Sequence, residues 1–265
     1  MMLCVKASTQ AFLLLWALLL GWEQKAPVNA HVPGEFRTKE SSVRAPVIVV
    51  GFVGGFVRHD SMVRSEVQLA ARIHDAYTSG VYVEVFENYR REQAHQAILK
   101  VLDADHDGTL SDEEKRDARI VIYGMSWGGS ETVALACELE GEKIPVLLTI
   151  QVDSIEKRHE NDALIPANVV EAVNFYQPNG LLHGRTEIRA ADASRTRILG
   201  NFRSEYESKP LQCENYPWYD RVFTKQHMEI ECDPAVWNRV EKLIRSKLPA
   251  VRESAVQGPE PAAQQ

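Results

Sequence analysis

The apolar positions of this chain fall into two kinds of run that alternate along it. Largely apolar runs occupy 45–52, 80–86, 119–122 and 145–152, the first of them unbroken. Runs of that length with no polar face predict strands covered on both sides, as in a parallel sheet. Between them, apolar residues recur every three or four positions. Leu69, Ile73, Ala76 and Tyr77 do so within 65–77, and Ala94, Ala97, Ile98, Val101 and Leu102 within 90–102. Residues 131–139 carry a third such stripe, and this spacing predicts helices. A further strand is expected over 169–176 and a short one over 196–199. Asp233 followed by Pro234 predicts the cap and first residue of a last helix, with its stripe at Val236, Val240, Leu243 and Ile244. Strands that alternate with helices predict a mostly parallel central sheet flanked by helices, an α/β fold.

The two ends depart from this pattern. Lys6, an apolar run over 11–22, and Val28 and Ala30 at the −3 and −1 positions read as a signal peptide over 1–30, cleaved before His31. The run is shorter than the ~20 residues of a membrane helix. An uncleaved anchor is the alternative, and contact with a membrane is expected only in that case. The mature chain is expected in the periplasm or outside the cell. Residues 31–253 are expected to form one domain, and 254–265, rich in Pro, Gln and Ala, a disordered tail. The whole chain has 265 residues, 45% hydrophobic and 25% charged, with net charge −7. Lys242, Arg245, Lys247 and Arg252 read as a solvated helix face. No basic stripe exists, which argues against a nucleic-acid partner.

Chemistry concentrates after the third strand, in Tyr123-Gly124-Met125-Ser126-Trp127-Gly128-Gly129-Ser130. Gly124-x-Ser126-x-Gly128 between a strand and a helix is the pattern of a nucleophile elbow. A serine hydroxyl is a weak nucleophile and needs a base, which in turn needs an orienting acid. His227, shortly before the last helix and read as a loop residue, is the expected base. His183, in a turn, comes second, and His159 lies in a charged run that reads as solvated. Asp153, at the end of the strand over 145–152, is the expected acid, with Asp192 and Asp220 as alternatives. The amides of Trp127 and of Phe52, read as part of a loop after the first strand, are the expected oxyanion donors.

These residues resemble the α/β-hydrolase family over most of the chain after the signal segment. The resemblance implies hydrolysis of an ester, thioester or amide through an acyl-enzyme, and the acid one strand after the elbow strand is similar to the lipase branch. The pattern departs from that family in having no histidine before Gly51, and no lid insertion is evident.

A second motif precedes the elbow strand. Asp103-Ala104-Asp105-His106-Asp107-Gly108-Thr109-Leu110-Ser111-Asp112-Glu113-Glu114 fills every position of the EF-hand calcium loop. Asp103, Asp105, Asp107, Thr109, Ser111 and Glu114 are the expected ligands of a Ca²⁺ ion, and Leu110 packs inward. The loop stands at the start of the elbow strand and Ser126 at its end, roughly 15–20 Å apart at ~3.3 Å per residue. Calcium is therefore expected to be structural. Export permits disulfides. Cys213 and Cys232 are expected to pair and close the segment that holds His227, while Cys137 reads as a small buried group.

The sequence thus reads as an exported serine hydrolase acting on a small acyl ester. A non-catalytic calcium-binding interaction module on the same fold, with Tyr216-Pro217-Trp218-Tyr219 as its surface, is one alternative. A peptidase or thioesterase using the same triad is another.

Overall fold

A computed structural model describes residues 45–158, 160–218 and 224–250. The segment read as a signal peptide, His159, Tyr219, Asp220 and the tail over 254–265 lie outside the described residues. Strands β1 (Val47–Val53), β2 (Val81–Glu87), β3 (Ile120–Met125), β4 (Val146–Val152), β6 (Val169–Tyr176) and β8 (Arg197–Arg203) form a six-stranded sheet in the order β2-β1-β3-β4-β6-β8. Every pairing in it is parallel. Two-residue strands β5 (Leu164–Ile165) and β7 (Arg189–Ala190) pair separately. Helices α1 (Ser65–Ala76), α2 (Arg91–Leu102), α3 (Asp112–Arg116), α4 (Trp127–Gly141), α5 (Lys225–Cys232) and α6 (Pro234–Arg245) complete the described elements.

The alternation of strand side chains sorts the core into two layers. Ile48, Val50 and Phe52 of β1, with Ile120 and Ile122 of β3, pack against Ala94, Ile98 and Leu102 of α2 and Leu135, Ala136 and Leu139 of α4. Val47 and Val49, with Val121 and Tyr123, pack on the other face against Leu69 and Ile73 of α1 and Val236, Val240 and Ile244 of α6. Helices therefore cover both faces, which is why the strand sequences carry no polar alternation. This is an α/β fold with a parallel central sheet flanked by helices, as expected. Among the described residues no helix is long and apolar enough to cross a membrane.

Three expectations change. First, β1 continues through Phe52 and Val53, which pair with Phe86 and Glu87 on one side while Phe52 faces Gly124 on the other. Burial from both neighbours outweighs the loop character of the glycines beside them. Second, β8 runs to Arg203, past the predicted 199, because it pairs with β6 through Tyr176. Third, His227 lies on a helix, α5, rather than in a loop. Helix α4 is also buried well beyond a stripe, Glu131 included. Glu131 is tolerated there because Arg91 stands 2.7 Å away and Lys157 donates to it.

Candidate active site

Ser126 occupies the turn between β3 and α4 at φ 58°, ψ −126°. Such a conformation costs a serine roughly 1–3 kcal/mol and persists only where its surroundings enforce it. Here the Ser126 amide donates to the Val152 carbonyl at 3.0 Å, and its carbonyl accepts from Ile155 at 3.1 Å. The strand and helix approach so closely that a methyl on Gly124 would lie 2.2 Å from the Gly128 carbonyl oxygen. One on Gly128 would lie 2.3 Å from that of Phe52. The two glycines around Ser126 are thus required by contact, as the elbow pattern implies.

Asp153 follows β4 directly and is fully buried, with φ 44°. Its Oδ1 accepts from the Gln177 and Gly184 amides at 3.1 and 2.9 Å, and its Oδ2 from Gln177 Nε2 at 2.9 Å. The fourth contact is His227 Nδ1, 2.6 Å from Oδ2. His227 is itself buried on α5. Ser126 and His227 face a common cavity of about 480 Å³, lined also by Phe56, Met125, Ile155, Leu182 and Met228. Phe56, which lines it and is 91% exposed, packs edge-on against the Trp127 ring, with centroids 5.5 Å apart.

The other candidates lie elsewhere. His183 is exposed, and Asp192 accepts from Ser194 in an exposed turn. The Phe52 amide is inside the sheet and its ring packs on Phe86. The turn that reaches Ser126 begins two residues later, and a methyl on Gly54 would come 2.9 Å from Ser126 Cβ. Asn88 Nδ2 holds this turn by donating to the Val53 and Gly55 carbonyls. Gly55 and Phe56 line the cavity together with Trp127.

A buried charged group beside the cavity escapes sequence reasoning. Arg64 Nη1 lies 3.0 Å from Glu231 Oε2, and both residues line the cavity. Glu231 is one helical turn beyond His227, so the two share a face of α5. Glu66 is also buried nearby, in the first turn of α1. Burial pushes its carboxyl well up, the charge of Glu231 adds to this, and the amides of Glu66 and Gly54 pull the other way. The only sequence signal is Glu231 four residues after His227, visible once α5 is known to be a helix.

The raised Glu66 group has a sign. Folded protein keeps a proton that the unfolded chain releases near the ordinary carboxylate range, so stability falls as pH rises from that range toward the raised value. Glu66→Gln keeps the protonated shape and removes this release. Wild type is expected to lose stability relative to Glu66→Gln by up to about 1.4 kcal/mol per pH unit across that window. Urea midpoints for both proteins from pH 5 to 9 check it, and parallel curves would contradict it.

In the acidic loop, Asp103 Oδ2 accepts from the Gly108 amide at 3.0 Å, and Asp107 Oδ1 from the Thr109 amide at 2.7 Å. Glu114 accepts from the Ala104 and Ser111 amides at 2.8 and 2.9 Å, which hold its carboxyl below the usual range. Ser111 caps α3, with Glu114 completing the capping box. One carboxylate oxygen from each of Asp103, Asp105 and Glu114 lies within 4.8 Å of the others. Leu110 packs against the core. Cys213 and Cys232 form a disulfide across 19 residues of sequence, with Cys232 as the last residue of α5. Cys137, expected to be a small buried group, is half-buried at the edge of the core and is disulfide-bonded.

No protein-family model matches the chain, and no curated protein matches it. Among solved structures it is similar to a cutinase-like protein from Cryptococcus sp., at 10% identity and TM-score 0.41, over 78% of this chain and 96% of the other. It is also similar to the thioesterase RedJ from the prodiginine biosynthetic pathway of Streptomyces coelicolor, at 9% identity and TM-score 0.40, over 77% and 91%.

Proposed function

We propose that this protein is a serine hydrolase acting on carboxylic esters. The observation that carries the reading is the strained Ser126 sharing a cavity with His227, whose Nδ1 is 2.6 Å from buried Asp153. With Nδ1 engaged by Asp153, His227 presents Nε2 as the base. Ser126 Oγ attacks the acyl carbonyl as His227 takes its proton. The charge forming on the carbonyl oxygen is met by the Trp127 amide and by an amide of the 55–56 turn, in place of Phe52. His227 returns the proton to the leaving alkoxide, and a water then repeats the sequence to release the acid. The apolar walls of the cavity fit the acyl side of the ester. A panel of p-nitrophenyl esters, thioesters and peptides tests the reading. Ester turnover supports it, thioester or peptide preference reassigns the acyl class, and no turnover of any class leaves the interaction module. Export of the mature chain belongs to the same proposal and is supported by the Cys213–Cys232 bridge.

The acidic loop extends this reading to calcium. The convergence of Asp103, Asp105 and Glu114 fits a hard, oxygen-seeking cation, with Asp107, Thr109 and Ser111 as the further ligands. A bound Ca²⁺ would neutralise these carboxylates and fix the connection into β3. Calcium at a hundred times its Kd is expected to stabilise the fold by about 2.7 kcal/mol. Thermal unfolding with calcium and with chelator, in wild type and Glu114→Gln, measures this. Equal midpoints in wild type would remove calcium from the account.

A further inference from the structure

The turn after β1 is held from outside the catalytic cavity. Residues 54–57 form a β-turn closed by the Val57 amide, which donates to the Gly54 carbonyl at 3.3 Å. Asn88, buried directly after β2, donates from Nδ2 to the Val53 carbonyl at 3.3 Å and to the Gly55 carbonyl. Gly55 and Phe56 line the cavity of Ser126 and His227, whereas Asn88 does not. A trans peptide sends its C=O and its N–H to opposite sides. With the Gly55 carbonyl fastened to Asn88, the Phe56 amide of the same peptide points away from Asn88, to the cavity side. Among the described residues this amide donates to no acceptor. A backbone N–H in that position is a donor waiting for a partner.

Asn88 is itself held in place. Its carbonyl accepts from Lys157 Nζ at 2.8 Å, and the same Nζ donates to Glu131. Glu131 is buried on α4, one turn after Trp127, the first residue of that helix and the bearer of the other oxyanion donor. Polar contacts thus run from Glu131 through Lys157 and Asn88 to Gly55, and join the helix that carries the Trp127 amide to the peptide that carries the Phe56 amide. An apolar residue in place of Glu131 would pack as well or better, so the buried charge points to a task other than packing. We propose that Asn88, fixed by Lys157 and Glu131, is a positioning residue that sets the Phe56 amide as the second oxyanion donor. This rests on the serine-hydrolase reading of Ser126, from which it selects one amide of the turn and to which it adds three residues outside the triad.

The test is steady-state hydrolysis of a p-nitrophenyl ester by the mature protein, with Ser126→Ala as the blank. Asn88→Ala is expected to lower kcat about a hundred-fold, the low end of what one oxyanion donor contributes, with KM nearly unchanged, because the contact is made in the transition state. Inhibition by an alkylboronic acid, whose tetrahedral adduct on Ser126 puts an oxygen among the same donors, should weaken by the same factor as kcat/KM. Lys157→Met should lower kcat about ten-fold, within the coupling range of one network, and add little in the Asn88→Ala background, since it acts through Asn88. Exchange of Phe56 for phenyllactic acid keeps the side chain, turns the amide into an ester and removes the N–H. It should lower kcat at least as far as Asn88→Ala, and it decides the matter if the Asn88 variant does not fold. Wild-type turnover by the phenyllactate protein, a raised KM with unchanged kcat in Asn88→Ala, or additive effects of Asn88→Ala and Lys157→Met would each overturn the proposal while Ser126→Ala stays inactive. Turnover that survives Ser126→Ala, or no ester turnover by wild type, would instead remove the hydrolase reading and this proposal with it.

Discussion

Replacing Ser126 by alanine is expected to lower kcat for ester hydrolysis roughly a million-fold, the scale of removing a nucleophile from a serine triad. The fold should not notice. Alanine at φ 58° carries the same backbone strain as serine, the glycines around it are unchanged, and the backbone bonds to Val152 and Ile155 remain. The comparison is therefore steady-state turnover against thermal midpoint on the same preparations. Unchanged turnover would place the chemistry away from this elbow, whereas a joint fall in activity and stability would make the serine a structural residue.

The second large effect is expected at Asp153. Asp153→Asn should lower kcat about ten-thousand-fold, because an amide nitrogen facing His227 imposes the wrong tautomer on the ring. It should also destabilise the fold by about 1–3 kcal/mol. The carboxylate accepts from the Gln177 amide, Gln177 Nε2 and the Gly184 amide, and an asparagine NH₂ would confront one of these donors in a fully buried place. Asp192→Asn is the matched control. The Asp192 carboxylate accepts from Ser194 in an exposed turn, so its replacement should leave activity intact. Activity lost with Asp192→Asn and kept with Asp153→Asn would reverse the assignment of the acid.

What the sequence reveals here follows from the range of the interactions involved. The apolar runs identify the strands because a sheet covered on both faces leaves few polar positions, such as Thr149 and Gln151 of β4. Asp153 is legible because a carboxylate that directly ends such a run emerges at a strand end. The extent of β1 is not legible. Val53-Gly54-Gly55 looks like a loop locally, and only pairing with β2 carries the strand through Val53. Helix α5 is hidden for another reason: Lys225–Cys232 is eight residues with a weak apolar pattern, held in place by the bridge to Cys213 and by burial of Ile230. The pairing of Arg64 with Glu231 and the meeting of Lys157 with Asn88 join residues far apart in sequence. Each looks like an ordinary solvated polar position until the chain is folded.

The most direct test of the account is covalent capture of Ser126. Mature protein is treated with a fluorophosphonate, and the adduct is read by intact mass and located by peptide mapping. The account predicts one adduct per chain, on Ser126, absent in Ser126→Ala and greatly slowed in Asp153→Asn. Folded, calcium-loaded protein that takes no label, or that is labelled at another serine, would contradict it.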